Sequence, residues 1–234
     1  MAVVGCSLFC PAWLWAQATV IIVVKPVFAN EPLRLADKCY LTPHGDSAFI
    51  DGFRFYMTHI GLGKGGKTTD KLIDAEDTAT ARITLNVPPG DYNQLSFVLG
   101  VDSADNTNGA NGGDLDPAKG MYWAWNTGYI MAKIEGRSPV CTTVHHAFEF
   151  HIGGYMPPNN TARAITLPLP NTLRLQKGDS AIITLAADAA TWFSGNLDLA
   201  TTNSILIPGK AAAAMADKYA AMFSVKEVTM PVAK

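Results

Sequence analysis

Short segments in which apolar and polar residues alternate recur along the chain, and clusters of glycine, proline, asparagine and aspartate separate them. This pattern is typical of β-strands joined by turns. In Tyr92–Val101, Leu95, Phe97 and Leu99 fall on one face of a strand. The other predicted strands are Thr19–Val24, Ala48–Leu62 (as one or two strands), Lys71–Asp74, Ala81–Val87, the aromatic segment Gly120–Ile134, Ala147–Ile152, Ile165–Leu169, Leu173–Leu175 and Ser180–Ala186.

A single strong helix pattern lies near the C-terminus. Ala211–Phe223 is rich in alanine, which has the highest helix propensity, and Gly209 is predicted to mark the start of the helix. Many strands at short spacing with one late helix predict an all-β fold. We expect an antiparallel β-sandwich, immunoglobulin-like, with a short C-terminal helix, formed as one domain by residues 19–234.

The first 18 residues are mostly apolar and carry no charge. Ala16 and Ala18 occupy the −3 and −1 positions of a cleavage site after Ala18, which predicts a Sec-type signal peptide over residues 1–18 and a periplasmic or secreted product. The positively charged start of such a signal is missing, as it would be if the true start lay upstream. Two alternatives stay open, a membrane span over Met1–Val24 and cleavage after Ala29.

Removal of a signal would leave two of the four cysteines, Cys39 and Cys141. In an exported protein two cysteines predict one disulfide. The alternative is a pair of buried free thiols. Neither residue has a nearby CxxC partner, which argues against a metal cluster held by thiolates.

The charge balance excludes one large class of function. The chain has 234 residues with 18 Lys+Arg against 20 Asp+Glu, a formal charge of −2. It therefore lacks the basic excess that nucleic-acid binding needs, and we expect no nucleic-acid partner. A P-loop, a nucleophile elbow and an HExxH motif are all missing from the sequence, so we expect no enzyme activity. Paired carboxylates in an acidic loop leave only a weak hydrolase alternative.

Three segments are distinctive when taken together. They are GGDLDP at 112–117, GMYWAWNTGYI at 120–130 and FHIGGY at 150–155, preceded by PGDY at 89–92 and GVD at 100–102. These segments resemble the MbnP-like family, which includes methanobactin-associated MbnP and the copper-repressible surface proteins of methanotrophs. The resemblance extends from about Val20 to about Phe223 and is strongest over Pro88–Tyr155.

The resemblance implies an exported β-sandwich that acts in copper acquisition or handling. In characterised members it implies copper bound by two histidines and by a tryptophan that has been oxidised to kynurenine. The implied partner is a di-haem peroxidase of the MauG/MbnH type, which performs this oxidation.

The candidate copper ligands follow from donor chemistry. Imidazole nitrogen suits copper, and His151 in the FHIGGY segment and His59 in a predicted strand are the candidates. An unmodified indole has only an N–H donor, whereas kynurenine offers a carbonyl oxygen and an aniline nitrogen. Trp123 and Trp125 lie two residues apart and would share a strand face, so either is a candidate for oxidation. The alternative is that both tryptophans are core residues.

A polar segment over Ser103–Pro117 supplies a second candidate site. Calcium prefers oxygen ligands on a flexible loop, although the spacing here does not match an EF-hand. The alternative is a loop whose side chains cap its own turns. The competing function is then a structural or interaction sandwich that binds no copper and has a calcium-stabilised loop. The candidate calcium ligands are Asp102, Asp105, Asn108, Asp114 and Asp116.

Overall fold

Two β-sheets pack face to face in the computed structural model, which describes residues 17–63, 69–125 and 128–230. The described helices are α1 (Ser103–Thr107) and α2 (Lys210–Tyr219), with several short 3-10 turns. The strands, in chain order, are β1 (Ala18–Phe28), β2 (Glu31–Pro32), β3 (Cys39–Leu41), β4 (Ser47–Leu62), β5 (Lys71–Asp74), β6 (Arg82–Val87), β7 (Gly90–Leu99), β8 (Tyr122–Trp123), β9 (Gly128–Arg137), β10 (Ala147–Gly153), β11 (Arg163–Leu175), β12 (Ser180–Asp188), β13 (Ser204–Ile205) and β14 (Phe223–Thr229).

The smaller sheet is built around β1. Strand β12 pairs with one edge of β1, and β6 and β2 pair with β1 as well, while β14 extends the sheet beyond β12. The β1–β12 pair is parallel, and so is the β10–β13 pair in the larger sheet. The predicted β-sandwich is confirmed, and these two pairs are exceptions to its antiparallel pattern.

The first predicted strand is confirmed and is longer than expected, because β1 continues to Phe28. Of the alternative membrane span, residues 18–24 lie in this strand, which pairs with β12 and β6. Most of the predicted signal peptide, residues 1–16, lies outside the described residues. None of the described helices is long and apolar enough to cross a membrane.

Strand β4 organises the larger sheet. It pairs with β9 over Phe49–Phe55 and with β7 over Met57–Leu62. Both partners lie along the same edge of β4. The reason is that β5 pairs with the opposite edge at Phe55, where pairing with β9 ends, and at Met57, where pairing with β7 begins. The larger sheet therefore divides midway along β4, where β7 and β9 separate, and the chain between β7 and β9 covers this division.

The main core lies between the sheets and follows from strand alternation. Every second residue of β1 from Ala18 to Val24 is buried, as are Phe53 and Phe55 of β4. Helix α2 begins after Gly209, as predicted, and packs Tyr219 against Trp192 with ring centroids 4.7 Å apart. It ends at Tyr219, and a 3-10 turn follows before β14, so the helix is shorter than the alanine pattern suggested.

Candidate functional site

A second, smaller hydrophobic cluster lies on the outer face of the larger sheet, where the sheet divides. Helix α1 and the turns that follow it cover this face. The cluster is formed by Tyr56, Leu72, Val101, Leu115, Met121, Trp123, Tyr129, Ile130 and Met131. Val101 just before α1 and Leu115 after it belong to the cluster, so the cluster holds α1 over the division between β7 and β9 and brings its polar groups next to β4.

An irregularity in β4 turns His59 toward this outer face. The pairing register with β7 shifts between Thr58 and Gly61, and His59 has a φ of +50°. Such a bulge changes the direction in which a side chain points. Thr58 and Ile60 are buried, whereas the imidazole of His59 stays partly accessible.

His59 meets two carboxylates that a strand pattern alone does not place beside it. Its Nε2 lies 2.8 Å from Asp102 Oδ2 and 3.6 Å from Asp105 Oδ2. One ligand-capable atom from each of the three side chains lies within 4.8 Å of the others. A third carboxylate, that of Asp70, accepts a hydrogen bond from the His59 backbone N–H at 3.2 Å. We refer to His59, Asp102 and Asp105 as the His59 cluster.

The start of α1 holds both carboxylates in place. Asp102 is the N-cap, and its side chain accepts a hydrogen bond from the Asp105 N–H at 2.9 Å. Asn106 is buried, donates to Val101 and Asp102 carbonyls, and accepts from the Tyr129 N–H. The helix is thereby tied to β9, and its carboxylates have a fixed position relative to β4.

The carboxylates of the His59 cluster repel each other. The hydrogen bond from the Asp105 N–H, and then the contact with His59, hold the pKa of Asp102 below its usual value although burial opposes this. Burial, and then the negative charges of Asp102 and Asp70, raise the pKa of Asp105. Within the described part of the chain, no lysine or arginine pairs with Asp102 or Asp105. A bound cation would relieve this repulsion.

The remaining predicted calcium ligands lie elsewhere. Asp114 pairs with Lys71 at 3.0 Å and with Lys119. Burial acts to raise the pKa of Asp114, but the two lysines outweigh it and the pKa is lower than usual. Asp116 caps a 3-10 turn through the Ala118 N–H, and Asn108 is the C-cap of α1. The five predicted oxygen ligands therefore do not gather around one point.

His151 belongs to a different group of residues. Its Nε2 lies 2.7 Å from Glu135 Oε1, and Lys133 Nζ lies 3.3 Å from Glu135 Oε2. The hydrogen bond from His151, and then the charges of Lys133 and His151, lower the pKa of Glu135 to about 2 against the opposing effect of burial. We refer to His151, Glu135 and Lys133 as the His151 cluster.

The two predicted copper histidines do not converge. Lys133 is the register partner of both His151 and Arg54, and His59 lies further along β4 than Arg54 by roughly 16 Å of strand. The ligand-capable atoms near His59 do not include His151. A single ion held by both imidazoles is thus not supported by this arrangement.

The two tryptophans lie at the β8–β9 hairpin. Their ring centroids are 5.4 Å apart, but Trp123 is 7% exposed and Trp125 is 63% exposed. Trp123 packs on Gly153, where an added Cβ would lie 2.5 Å from the indole, so this glycine allows the close approach. Trp123 is a core residue of the outer cluster, as one alternative proposed, whereas Trp125 is a surface residue in a turn.

The predicted disulfide between Cys39 and Cys141 is not formed, and both residues are free thiols. Cys39 precedes Tyr40 on β3, and because Tyr40 is buried in the main core, Cys39 faces outward. Cys141 is buried in that core, with its Sγ 3.4 Å from the Leu199 carbonyl oxygen. The alternative of two buried thiols is half correct, since only Cys141 is buried.

Sequence reasoning missed three participants in these clusters. Asp70 follows a glycine-rich segment, and Lys133 and Glu135 lie at the end of the aromatic segment, whose predicted strand stops at Ile134. Because β9 continues to Arg137, Lys133 and Glu135 share one of its faces, and pairing with β10 brings them to His151. No sequence pattern indicated Asp70.

Comparisons with known proteins agree with the resemblance in the aromatic segments. The model of the MbnP family matches residues 17–208. Among solved structures, MbnP from Methylosinus trichosporium is similar over 84% of this chain and 82% of that chain, with 17% identity and a TM-score of 0.49. A search of curated proteins gives no match. Since the family model covers most of its length, the chain belongs to the MbnP family.

Proposed function

We propose that this protein is an exported copper-binding protein of the MbnP type and that the His59 cluster is its metal site. The observation that carries the proposal is the convergence of one imidazole and two carboxylates, from β4 and from α1, without a basic partner among the described residues. The role would be copper acquisition or handling, with copper as the cargo of the protein.

The donor atoms favour one oxidation state of the metal. Nitrogen and oxygen donors suit Cu(II), whereas Cu(I) prefers thiolate and thioether sulfur. Calcium takes oxygen ligands, so an imidazole in contact with both carboxylates argues for a transition metal at this position. The His59 cluster combines residues expected at separate copper and calcium sites.

The positions of Trp123 and Trp125 add a modification step to the proposal. Trp125 is accessible to a large partner, and its hairpin packs against α1, since Asn106 bonds to Tyr129 at the start of β9. We infer that Trp125 is the residue that a di-haem peroxidase of the MauG/MbnH type oxidises to kynurenine. Peroxide would supply the two oxygen atoms that open the indole ring to N-formylkynurenine and would leave as water, and hydrolysis would then release the formyl carbon as formate. Kynurenine would then offer the oxygen and nitrogen donors that an indole does not.

The position of β1 supports export with cleavage after Ala18. This cleavage would leave the strand from Thr19 onward paired with β12. Cleavage after Ala29 would remove β1 and leave the smaller sheet without the strand that joins β12 to β6. We therefore retain the Sec-type signal over residues 1–18 in the proposal.

A purely structural role is the second candidate. Asp114 with its two lysines, and Asp116 with its capping bond, stabilise the acidic segment through contacts within the chain. Trp123 also has a packing role that needs no chemistry. In this alternative the protein is an interaction sandwich that binds no copper.

Copper titration of the purified chain tests the proposal. Removing the imidazole in His59→Ala should weaken Cu(II) binding about 100-fold, because the site loses its nitrogen donor. His151→Ala is the matched control and should change affinity less than about threefold, since His151 is bonded to Glu135. The measurement is equilibrium dialysis with electron paramagnetic resonance, which reports the nitrogen ligand of Cu(II).

Equal affinity for the wild type and His59→Ala would refute the His59 site. The kynurenine step fails separately, if intact mass and peptide mapping show unmodified Trp125 after reaction with a di-haem peroxidase and peroxide. In that case the His59 site would stand without the modification.

A further inference from the structure

A second group of metal-ligating side chains lies near the opposite end of β4 from His59. The turn between β3 and β4 carries His44 and Asp46, and the segment after β12 and its 3-10 turn carries Asp198. One ligand-capable atom from each of these three residues lies within 4.8 Å of the others. We refer to these three residues as the His44 cluster.

The backbone fixes two of the three ligands. The Asp46 side chain is 9% exposed, and its Oδ2 accepts a hydrogen bond from the Leu199 N–H at 3.1 Å. This bond joins the residue after Asp198 directly to Asp46. The turn itself is closed by Thr42, whose N–H donates to the Asp46 carbonyl and whose Oγ1 accepts from the Asp46 N–H. The two carboxylates are therefore held close together without an ion.

The charges of the His44 cluster are unbalanced. Among the residues that the structure describes, no lysine or arginine lies within 4.0 Å of the Asp46 or Asp198 carboxylate. Within the described ranges the single basic contact is His44, whose Nδ1 lies 3.2 Å from Asp46 Oδ2. Two carboxylates held this close carry more negative charge than one imidazole can balance, so a divalent cation between them would be favourable.

We propose that the His44 cluster is a second metal site, which binds a divalent transition cation of the zinc class. One imidazole nitrogen and two carboxylate oxygens are three of the four ligands that Zn²⁺ takes in proteins, and water would complete the set because His44 is partly exposed. Such an ion would join the β3–β4 turn to the segment that contains Asp198. Its role would be to stabilise this end of the sandwich, independently of copper at His59.

Zinc binding by the full chain tests this proposal in a His59→Ala background, which removes a ligand of the other site. Zn²⁺ should bind with one equivalent and raise the melting temperature by several degrees. Adding His44→Ala or Asp198→Asn should each weaken zinc binding at least tenfold and remove most of the rise. In Asp198→Asn the side-chain oxygen can still accept the hydrogen bond that the Ala200 N–H donates to Asp198, so we expect the fold to stay intact.

The matched control is His145→Asn in the same background. His145 is exposed, lies outside the cluster and has a φ of +59°, which asparagine tolerates. The control should bind zinc like its parent. Zinc binding unchanged by His44→Ala and Asp198→Asn, or no zinc binding by the His59→Ala parent, would overturn the second site. Neither result bears on copper at His59, which is tested by the copper titration above.

Discussion

The His151 cluster and the His59 cluster both place an imidazole against a carboxylate on the outer face of the larger sheet, yet their charges differ. In the His151 cluster one carboxylate, Glu135, lies between a histidine and Lys133. In the His59 cluster two carboxylates share one histidine, and a third carboxylate, Asp70, is close by. The first cluster is balanced within the chain, whereas the second has an excess of negative charge.

This difference distinguishes a contact that stabilises the fold from the metal site proposed at His59. A carboxylate paired with a cation favours the folded state, and removing one member leaves the other without a partner. Carboxylates forced together cost stability, and that cost is recovered when a cation binds. We therefore expect the His151 cluster to contribute to the free energy of unfolding and the His59 cluster to contribute to metal affinity.

The largest effect on stability should come from breaking the His151 cluster. Glu135→Ala leaves Lys133, whose side chain is only 12% exposed, without its carboxylate, and we expect a loss of about 2 kcal/mol in the free energy of unfolding. Urea denaturation measures this. Glu149→Ala is the control, because Glu149 lies opposite Glu135 on β10 but is exposed, and it should change stability by less than about 0.5 kcal/mol. Equal effects of the two variants would contradict the comparison.

A smaller loss in the free energy of unfolding should appear as the pH falls. The pKa of Glu135 is lowered to about 2, so its contribution is complete above about pH 5 and is lost as the pH falls toward 2, because the unfolded chain takes up the proton first. Since part of the side chain is in water, we expect a loss of about 1 kcal/mol. Unfolding curves of the wild type and Glu135→Gln should converge over this range, and parallel profiles would refute the pairing.

Strand alternation predicted most of the fold. The segments ending at Asp74, Val87 and Ala186 became strands with nearly the expected bounds, because one face of each is buried in the main core. Strand β14 was missed, since Phe223 was assigned to the helix and few apolar residues follow it. The parallel pairing of β1 with β12 depends on contacts across the whole chain, which alternation does not report.

The sites were less predictable because each depends on where distant segments meet. His59 and Asp102 are separated by 43 positions, and their contact requires the register shift after Thr58 and the division of the larger sheet. The sequence did indicate both residues as ligands, but at different sites. The sequence therefore shows which residues have side chains that can bind a metal, whereas the topology determines which of these side chains meet at one site.

The smallest predicted effect is a gain in the free energy of unfolding, whereas the two effects above are losses. Burial, and then Asp102 and Asp70, raise the pKa of Asp105, so its charged form is disfavoured in the folded state. Asp105→Asn removes this charge without changing the size of the side chain or the backbone N–H that Asp102 caps. Without metal, we expect the free energy of unfolding at pH 7 to rise by about 0.5 kcal/mol.

Asp114→Asn is the matched control for this variant, because it makes the same change in the same segment at a carboxylate paired with Lys71 and Lys119. It should destabilise the protein slightly, since two lysines lose a partner. Adding Cu(II) should then reverse the order of wild type and Asp105→Asn, because the wild-type site gains more from the cation. If Asp105→Asn destabilises the metal-free protein as Asp114→Asn does, the carboxylates at His59 are not in excess and the contrast between the two clusters fails.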